Sequence, residues 1–179
     1  MHWEHNSVGD INSTEPGSAA RYNADKLAFE LIPVEQLLTY MKNYPRLTPY
    51  EETFLRYLME WQWKAVGAVT LLNHLLPDHI EQGAKVLEFG AKKYAAWNWA
   101  RGMKYSVVTG SLLRHLWKAV ILGEEKDDES GLDHWGHIAC NVIFLVHYER
   151  YYKDGDDRPD IFSDDTIKEP KDVQKRIGL

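Results

Sequence analysis

The stretch from residue 124 to residue 141, EEKDDESGLDHWGHIACN, holds the side chains best suited to chemistry. Six carboxylates fall within ten residues, and Lys126 is the one basic side chain among them: Glu124, Glu125, Asp127, Asp128, Glu129 and Asp133. Crowding anions in this way costs free energy unless a cation lies among them, and oxygen ligands suit Mg²⁺ or Mn²⁺. The pattern therefore predicts a divalent metal site between two apolar helices, with a solvated acidic loop as the alternative.

Polar side chains continue along the first turns of the helix predicted after this cluster. His134, His137 and Asn141 lie three and four residues apart, so they share one face of an otherwise apolar helix. We interpret this stripe as metal ligands or as groups that orient a metal-bound water. The alternative is a set of core side chains that hydrogen-bond each other. Asp133 also has a purely structural interpretation, as the N3 partner of Ser130 in a capping box.

Basic side chains lie on the helix predicted before the acidic cluster. Arg114 and Lys118 are one turn apart, with His115 beside them. They suit phosphate oxygens, which arginine holds in a forked, bidentate manner. Equally, they could neutralise the neighbouring carboxylates, and both interpretations stay open at this point.

A third candidate patch lies between residues 90 and 102, where two lysines precede aromatic rings and an asparagine. Lysine can meet a phosphate as a point charge, a ring can stack on a planar group, and asparagine can pair with a base edge. Trp97 or Trp99 could instead belong to the core. A smaller group of similar composition lies at Arg21, Asn23 and Lys26. The composition indicates a phosphorylated, planar ligand, with candidate contacts at Lys92, Lys93, Tyr94, Asn98 and Trp99.

Composition sets limits on these predictions. With 179 residues the chain is long enough for one domain with its own core. A net charge of −6 argues against nucleic-acid binding, which needs a basic surface. The single cysteine, Cys140, excludes an intramolecular disulfide framework and fits a reducing compartment. The first residues lack a signal-peptide pattern and no apolar stretch is long enough for a membrane span, so we expect a cytoplasmic protein without membrane contact.

Apolar residues at helical spacing predict helices through most of the chain. The segment Thr48–Glu51 is a capping box with proline at the first helical position, and Asp78 and Glu81 repeat that signature. Gly123 suits a helix C-cap. Alternation of polar and apolar residues between turn signals, which would indicate strands, is scarce. We therefore predict an all-α bundle. The layout is a flexible N-terminal arm, the all-α domain and a charged C-terminal tail: residues 1–20, 21–152 and 153–179.

Four motifs along the chain together carry a resemblance to a known family. They are RYN…K…LIP at 21–33, FGAKKY…NW at 89–99, RH at 114–115 and GE…D.ESGL.H..H..CN at 123–141. The combination resembles the phage and bacterial dATP/dGTP diphosphohydrolase group, which is assigned to the MazG-like all-α nucleotide pyrophosphohydrolases. The similarity covers roughly residues 20–150, and its last motif is specific because it fixes many residue types at once.

The resemblance implies a reaction and an assembly. The reaction is Mg²⁺- or Mn²⁺-dependent conversion of a purine deoxynucleoside triphosphate, dGTP and/or dATP, to the monophosphate and pyrophosphate. The assembly is a MazG-like helical domain that forms a homo-oligomer, a dimer or a tetramer, to complete its sites. If phage-encoded, the protein would act in the host cytoplasm.

The resulting hypothesis is metal-assisted attack of water on the α-phosphorus, with cations that neutralise the triphosphate and lower the pKa of the water. Its catalytic residues are Glu124, Glu129 and His137. Its metal ligands are Glu124, Asp127, Glu129, Asp133, His134 and Asn141. Its substrate-binding residues are Arg21, Asn23, Lys26, Lys92, Lys93, Tyr94, Asn98, Trp99, Arg114 and His115.

Two other classes fit part of the pattern. An HD-type dNTP triphosphohydrolase is also helical and rich in histidine and aspartate, and it would release tripolyphosphate. Its signature has adjacent His-Asp, whereas this chain has the reverse order at Asp133 and His134. A non-catalytic metal-binding helical assembly protein would turn over none of the four dNTPs.

Overall fold

Helices dominate the computed structural model, which describes residues 7–22, 26–44 and 46–160. They are α1 Val34–Lys42, α2 Pro49–Gln62, α3 Val69–His74, α4 Pro77–Lys93, α5 Tyr105–Trp117 and α6 His134–Tyr151. Short 3₁₀ turns are Phe29–Leu31, Asn98–Arg101 and Lys153–Gly155, and a π-helical turn, Lys118–Leu122, extends α5. The strands β1 Ser7–Val8 and β2 Arg21–Tyr22 form one short antiparallel ladder. The all-α prediction is confirmed. Within the described ranges, no helix combines the length and apolar character that a membrane crossing requires.

The capping predictions have mixed outcomes. Thr48 caps α2 in a complete capping box, in which its side chain accepts from Glu51 N–H and the Glu51 carboxylate accepts from Thr48 N–H at 2.8 Å. Gly123 ends the π-helical turn with a φ of 68°, as predicted. The box predicted at Asp78 is wrong. Helix α4 begins at Pro77, because the fixed φ and missing N–H of proline suit the first helical position.

Helix α6 packs against both α4 and α5 and positions two of the candidate histidines. Its apolar residues surround the helix instead of lying on one face, which is typical of a helix buried on most sides. Ile138, Val142 and Leu145 are fully buried. Each such side chain contributes about 1.5–3 kcal/mol to folding. The first turns of α6 carry His134 and His137, so the core holds these two side chains in fixed positions.

The segment before α1 packs onto the bundle. Gly17 N–H donates to the Arg101 carbonyl at 2.7 Å, and Ala19 N–H donates to the Gly102 carbonyl at 3.1 Å. Ala19 is buried, since its small side chain lets the two backbones approach. Residues 17–19 therefore contact the bundle. The flexible arm predicted over residues 1–20 stays a prediction, and residues 1–6 lie outside the described part of the chain.

The start of the predicted C-terminal tail also packs on the bundle. The Arg158 guanidinium lies 4.5 Å from the centre of the Trp61 ring and donates to the Trp61 carbonyl at 2.7 Å. A cation over an aromatic ring is attracted by the ring's electron density. Of the tail predicted over residues 153–179, residues 161–179 lie outside the described part of the chain.

A buried histidine at the start of α4 makes stability depend on pH. His79 stacks on Trp135 with ring centroids 4.6 Å apart, and its Nδ1 accepts from Leu76 N–H at 3.4 Å. Burial lowers the pKa of His79 below its ordinary value of 6.5. The unfolded chain therefore takes up a proton at a higher pH than the folded chain does. We expect the free energy of unfolding to fall as the pH drops below about 6.5.

Urea unfolding of metal-free protein at roughly pH 7.5 and pH 5 measures this effect. A His79→Gln variant should lose part of the pH dependence, by at most about 1.4 kcal/mol per pH unit. If the wild type and the variant lose stability equally on acidification, His79 is not a source of the effect.

Candidate functional site

A cavity of about 820 Å³ lies among α4, α5 and α6. Cavities of roughly 300–1,000 Å³ commonly hold small-molecule ligands. Its walls also include the segment 26–29 and the loop after α5. Asn23 lies outside the described residues. Most of the other predicted site residues line the cavity: Arg21, Lys26, Lys93, Tyr94, Asn98, Trp99, Arg114, His115, Asp127, Glu129 and His137.

Three histidines and an aspartate from α5, α6 and the loop between them meet at one wall. His115 Nδ1 and His134 Nδ1 are 2.9 Å apart, and the His115 ring stacks on His137 with centroids 4.2 Å apart. Ligand atoms of His115, Asp127 and His134 all lie within 4.8 Å of one another. We refer to His115, Asp127, His134 and His137 as the histidine–aspartate cluster. The ligand atoms of His115, Asp127 and His134 are close enough to share one cation.

Ser130 fixes Asp127 within the loop. Its backbone N–H and its hydroxyl each lie 3.0 Å from Asp127 Oδ2, and its Oγ lies 2.8 Å from His137 Nε2. Since the hydroxyl has one proton, donation to Asp127 leaves Oγ to accept from His137 Nε2–H. The capping box predicted between Ser130 and Asp133 is therefore wrong. Asp133 caps α6 alone, by accepting from Trp135 N–H at 2.6 Å.

Burial and hydrogen bonding set the protonation of three members of the cluster, His115, Asp127 and His137. Burial lowers the pKa of His137 to about 4 and the pKa of His115 far below its ordinary value. Burial alone would raise the pKa of Asp127, but hydrogen bonds from Ser130 and the nearby histidines bring it below its ordinary range. Near pH 7, His115 and His137 are therefore neutral imidazoles and Asp127 is a carboxylate, the forms that bind metals.

Two buried polar atoms, one in the cluster and one beside it, lack a hydrogen-bond partner among the described residues. They are Glu124 Oε2 and His134 Nε2, which lie 3.6 Å apart. Lys118 Nζ lies 3.2 Å from Glu124 Oε2 and offsets its charge. An unsatisfied buried polar atom costs about 1–3 kcal/mol. A bound cation would satisfy both atoms, so these residues fit a divalent metal.

Lysines from other elements offset much of the negative charge of the acidic loop. The prediction that Lys126 alone offsets these carboxylates is wrong, because the fold brings in side chains that are distant in sequence. Charge crowding in the loop therefore does not by itself require a cation; the buried cluster is the stronger argument for one. Three lysines form the pairs: Lys118 with Glu124 and Asp128, and both Lys26 and Lys93 with Glu129.

Arg21 is a cation at the cavity wall with no carboxylate partner among the described residues. Its guanidinium donates to two neutral oxygens, Ser111 Oγ at 2.7 Å and Asn141 Oδ1 at 2.9 Å. Asn141 in turn donates to the His137 carbonyl at 2.8 Å, so its amide is committed to holding Arg21 in place. Burial lowers the pKa of Arg21. A partly buried cation of this kind favours an anionic ligand in the cavity.

Arg114 lines the same cavity wall and is held there by contacts with the segment before α1. It donates to the Leu27 carbonyl at 2.7 Å and lies 3.8 Å from the Glu30 carboxylate. Gly110 makes room for that carboxylate, since a side chain at this position would collide with Glu30. Glu30, which the sequence did not single out, thus orients an arginine that faces the cavity.

The adjacent lysines at the end of α4 face different environments. Lys93 lines the cavity, pairs with Glu129 and lies 5.4 Å from the centre of the Tyr94 ring. The Lys92 side chain is 74% exposed and pairs with Glu88 at 2.7 Å. Neighbouring helical positions are about 100° apart, so only one of the two can face the cavity.

Asn98 and Trp99 have strong contacts within the protein. The Asn98 amide accepts from Ala20 N–H at 3.0 Å and donates to the Ala20 carbonyl at 2.8 Å. Trp99 stacks on Phe144 with centroids 4.9 Å apart. Trp97, by contrast, is 73% exposed and lines the cavity. Sequence alone did not distinguish the two tryptophans.

Sequence reasoning missed part of this site. It gave His115 a role in substrate binding only, because nothing local shows that α5 brings this ring against α6. It gave no role to Ser111, and it gave Ser130 only a capping role with Asp133. A signal existed for Ser130, since an aspartate three residues before a serine often forms a side-chain turn.

Comparison with known proteins identifies the family. The family described as dATP/dGTP diphosphohydrolase, N-terminal, matches residues 50–158, more than half of the chain. The chain belongs to this family. A dATP/dGTP diphosphohydrolase of Salmonella phage PMBT28 is 32% identical over 87 residues, which are 49% of this chain and 29% of that relative. The match thus spans less than a third of the relative's length. No solved structure matches the chain.

The family match confirms the resemblance seen in the motifs. Its range, residues 50–158, includes all four residues of the histidine–aspartate cluster and the loop that carries Glu124 and Glu129. Arg21 and Lys26 precede the range, although both line the same cavity.

Proposed function

We propose that this chain hydrolyses a purine deoxynucleoside triphosphate, dGTP and/or dATP, to the monophosphate and pyrophosphate with a divalent metal. The observation that carries the proposal is the histidine–aspartate cluster in the wall of a cavity that also presents Arg21. The family description and the name of the phage relative support the reaction and the substrate class.

Cations around the cavity would receive the triphosphate. Arg21 and Arg114 offer forked donors, which suit phosphoryl oxygens. Lys26 and Lys93 both pair with Glu129 and line the cavity. Phosphate oxygens would compete with the Glu129 carboxylate for these lysines, so Glu129 serves to hold them until the substrate arrives.

The metal would be held by His115, Asp127 and His134, with Glu124 next to them. A divalent cation, when bound, polarises phosphoryl oxygens and lowers the pKa of a bound water. Mg²⁺ prefers oxygen ligands, whereas Mn²⁺ and other transition metals also accept imidazole. We therefore rank Mn²⁺ ahead of Mg²⁺ for this set of side chains.

Glu124 is the best-placed acceptor for the proton of the attacking water. Its Oε2 is buried, pairs with Lys118 Nζ at 3.2 Å and lies 3.6 Å from His134 Nε2, next to the proposed metal ligands. His137 is a poor base near pH 7, since burial lowers its pKa to about 4. Of the three predicted catalytic residues, the geometry thus favours Glu124, while His137 orients Ser130 and Asp127.

Homo-oligomer formation, as a dimer or a tetramer, is part of the proposal. Leu27, Leu31 and Leu122 are exposed, and Leu27 and Leu122 lie at the cavity. Exposed apolar surface of this kind commonly marks a contact with a partner. A second copy could cover the cavity there, and light scattering would measure the assembly.

An HD-type triphosphohydrolase is the second candidate, because the cluster combines histidine and aspartate. Product analysis with each of the four dNTPs and Mg²⁺ or Mn²⁺ separates the two. We expect purine monophosphate and pyrophosphate, and no turnover after EDTA treatment. Deoxynucleoside with tripolyphosphate would support the second candidate. A lack of turnover with all four dNTPs would contradict both and favour a non-catalytic assembly protein.

The two lysines at the end of α4 provide a matched pair of variants. Lys93→Ala should raise the KM for dGTP by roughly 10- to 100-fold, because a hydrogen bond to a charged group contributes about 1.5–3 kcal/mol. Lys92→Ala removes the same charge from an exposed position and should change the KM less than about twofold. Equal effects of the two variants would mean that general electrostatic attraction, not contact in the cavity, is responsible.

A further inference from the structure

One aromatic side chain at the cavity is exposed and held in an unfavourable backbone conformation. Trp97 has a φ of 62°, in the left-handed region that bulky residues rarely adopt, and Ala95 two residues earlier has a φ of 140°. The Trp97 side chain is 73% exposed and lines the cavity. The chain therefore bears two costs here, backbone strain and an unburied indole. Such strain tends to persist at ligand-binding sites.

The contacts of the next residues explain how the strain is maintained. Asn98 is buried and binds the Ala20 backbone through both ends of its amide. Trp99 stacks on Phe144 in the adjoining part of the core. These two anchors fix the chain just after Trp97, so the left-handed turn directs the Trp97 ring away from the core.

The position of the ring relative to the histidine–aspartate cluster suits a nucleotide. Trp97 lies 5.9 Å from Trp99 between ring centroids, and Trp99 contacts Phe144 of α6. Phe144 is seven residues beyond His137, so it lies roughly 10 Å further along the helix axis. Phe144, at the aromatic end of the cavity, is thus separated from His137 along α6 by about the length of a nucleoside. The cavity wall is mostly apolar and includes Leu87 and Ala91.

We propose that Trp97 is the stacking platform for the purine base, and that it favours purines because the larger ring system covers more of the indole. This inference rests on the proposed function, since it places the base of the same substrate. It replaces Asn98 as the candidate for base recognition, because the amide of Asn98 is already used by Ala20.

Binding of analogues that resist cleavage tests the proposal. The probes are the α,β-imido analogues of dGTP and dCTP and inorganic tripolyphosphate, each titrated in the presence of Mn²⁺. Stacking of one base contributes about 1–3 kcal/mol, so Trp97→Ala should weaken binding of the dGTP analogue roughly 5- to 150-fold. The loss should be smaller for the dCTP analogue and absent for tripolyphosphate. Trp97→Phe should recover most of the affinity.

Two controls separate stacking from a structural effect. Tyr151→Ala removes another exposed aromatic ring that does not line the cavity, and it should leave all three affinities unchanged. Trp97→Gly relieves the left-handed strain, so its melting temperature should exceed that of Trp97→Ala by roughly 2–4 °C while binding stays weak.

Unchanged affinity of Trp97→Ala for the dGTP analogue would overturn the inference, as would an equal loss for tripolyphosphate. These results would leave the proposed function standing if the wild type still hydrolyses dGTP. A wild type that neither binds the analogue nor hydrolyses dGTP would overturn the proposed function and this inference together.

Discussion

Replacing Asp127 with asparagine is expected to lower dGTP turnover roughly 1,000-fold while leaving the fold intact. The asparagine keeps an oxygen that can accept from Ser130 N–H, as Asp127 does at 3.0 Å, so the loop should hold its shape. The variant loses the one anionic ligand of the set His115, Asp127 and His134. Steady-state kinetics with Mn²⁺ measures the loss of turnover. Titration of Mn²⁺ into metal-free protein should show weakened binding.

Asp128→Asn is the matched control for this variant. Asp128 is the next residue, and its exposed side chain pairs with Lys118 at 3.0 Å. An exposed ion pair contributes about 0–1 kcal/mol, so this change should leave turnover and Mn²⁺ binding nearly unaffected. If Asp127→Asn binds Mn²⁺ as tightly as the wild type, the histidine–aspartate cluster is not the metal site.

Replacing Arg21 with methionine should separate binding from stability. Hydrogen bonds to a charged group contribute about 1.5–3 kcal/mol each, so loss of the guanidinium should raise the KM for dGTP roughly 100-fold or more. The fold should survive with a modest loss of stability, because the variant removes a partly buried cation that has no carboxylate partner among the described residues but leaves the buried Asn141 Oδ1 without its donor. Arg21→Lys keeps the charge but not the forked donors, and an intermediate KM is expected.

Arg150→Met provides the comparison for Arg21→Met. Arg150 is exposed on α6 and does not line the cavity, so its removal should leave the KM within about twofold of the wild-type value. Urea unfolding of all four proteins would show whether stability is preserved. A large loss of stability in Arg21→Met with an unchanged KM would mean that Arg21 serves the fold and not the substrate.

Sequence reasoning succeeded where the signal is local. The capping box at Thr48 depends on residues three apart, and the predicted helix α2 begins there. The spacing of His134 and His137 predicted a shared helix face, and both side chains join the same cluster. These features follow from helix geometry, which is the same in every helix.

The sequence did not predict side-chain contacts that depend on which helices pack together. His115 lies 19 residues before His134 in the chain, yet their Nδ1 atoms are 2.9 Å apart because α5 packs on α6. The lysines that pair with Glu129 come from positions still more distant in the chain. No periodic pattern encodes such pairings. The family resemblance identified the motifs whose side chains meet at the cavity. It did not predict the contacts among those side chains.

Hydrolysis of dGTP in ¹⁸O-labelled water with Mn²⁺ is the most direct test of the proposed reaction. Attack of water on the α-phosphorus should place the label in dGMP and leave the released pyrophosphate unlabelled, and mass spectrometry distinguishes the two products. The Asp127→Asn variant, assayed in parallel, shows whether the reaction depends on the histidine–aspartate cluster. Label in dGMP, with little product from the variant, is the expected result. Label in pyrophosphate, or release of deoxyguanosine with tripolyphosphate, would contradict the proposed mechanism.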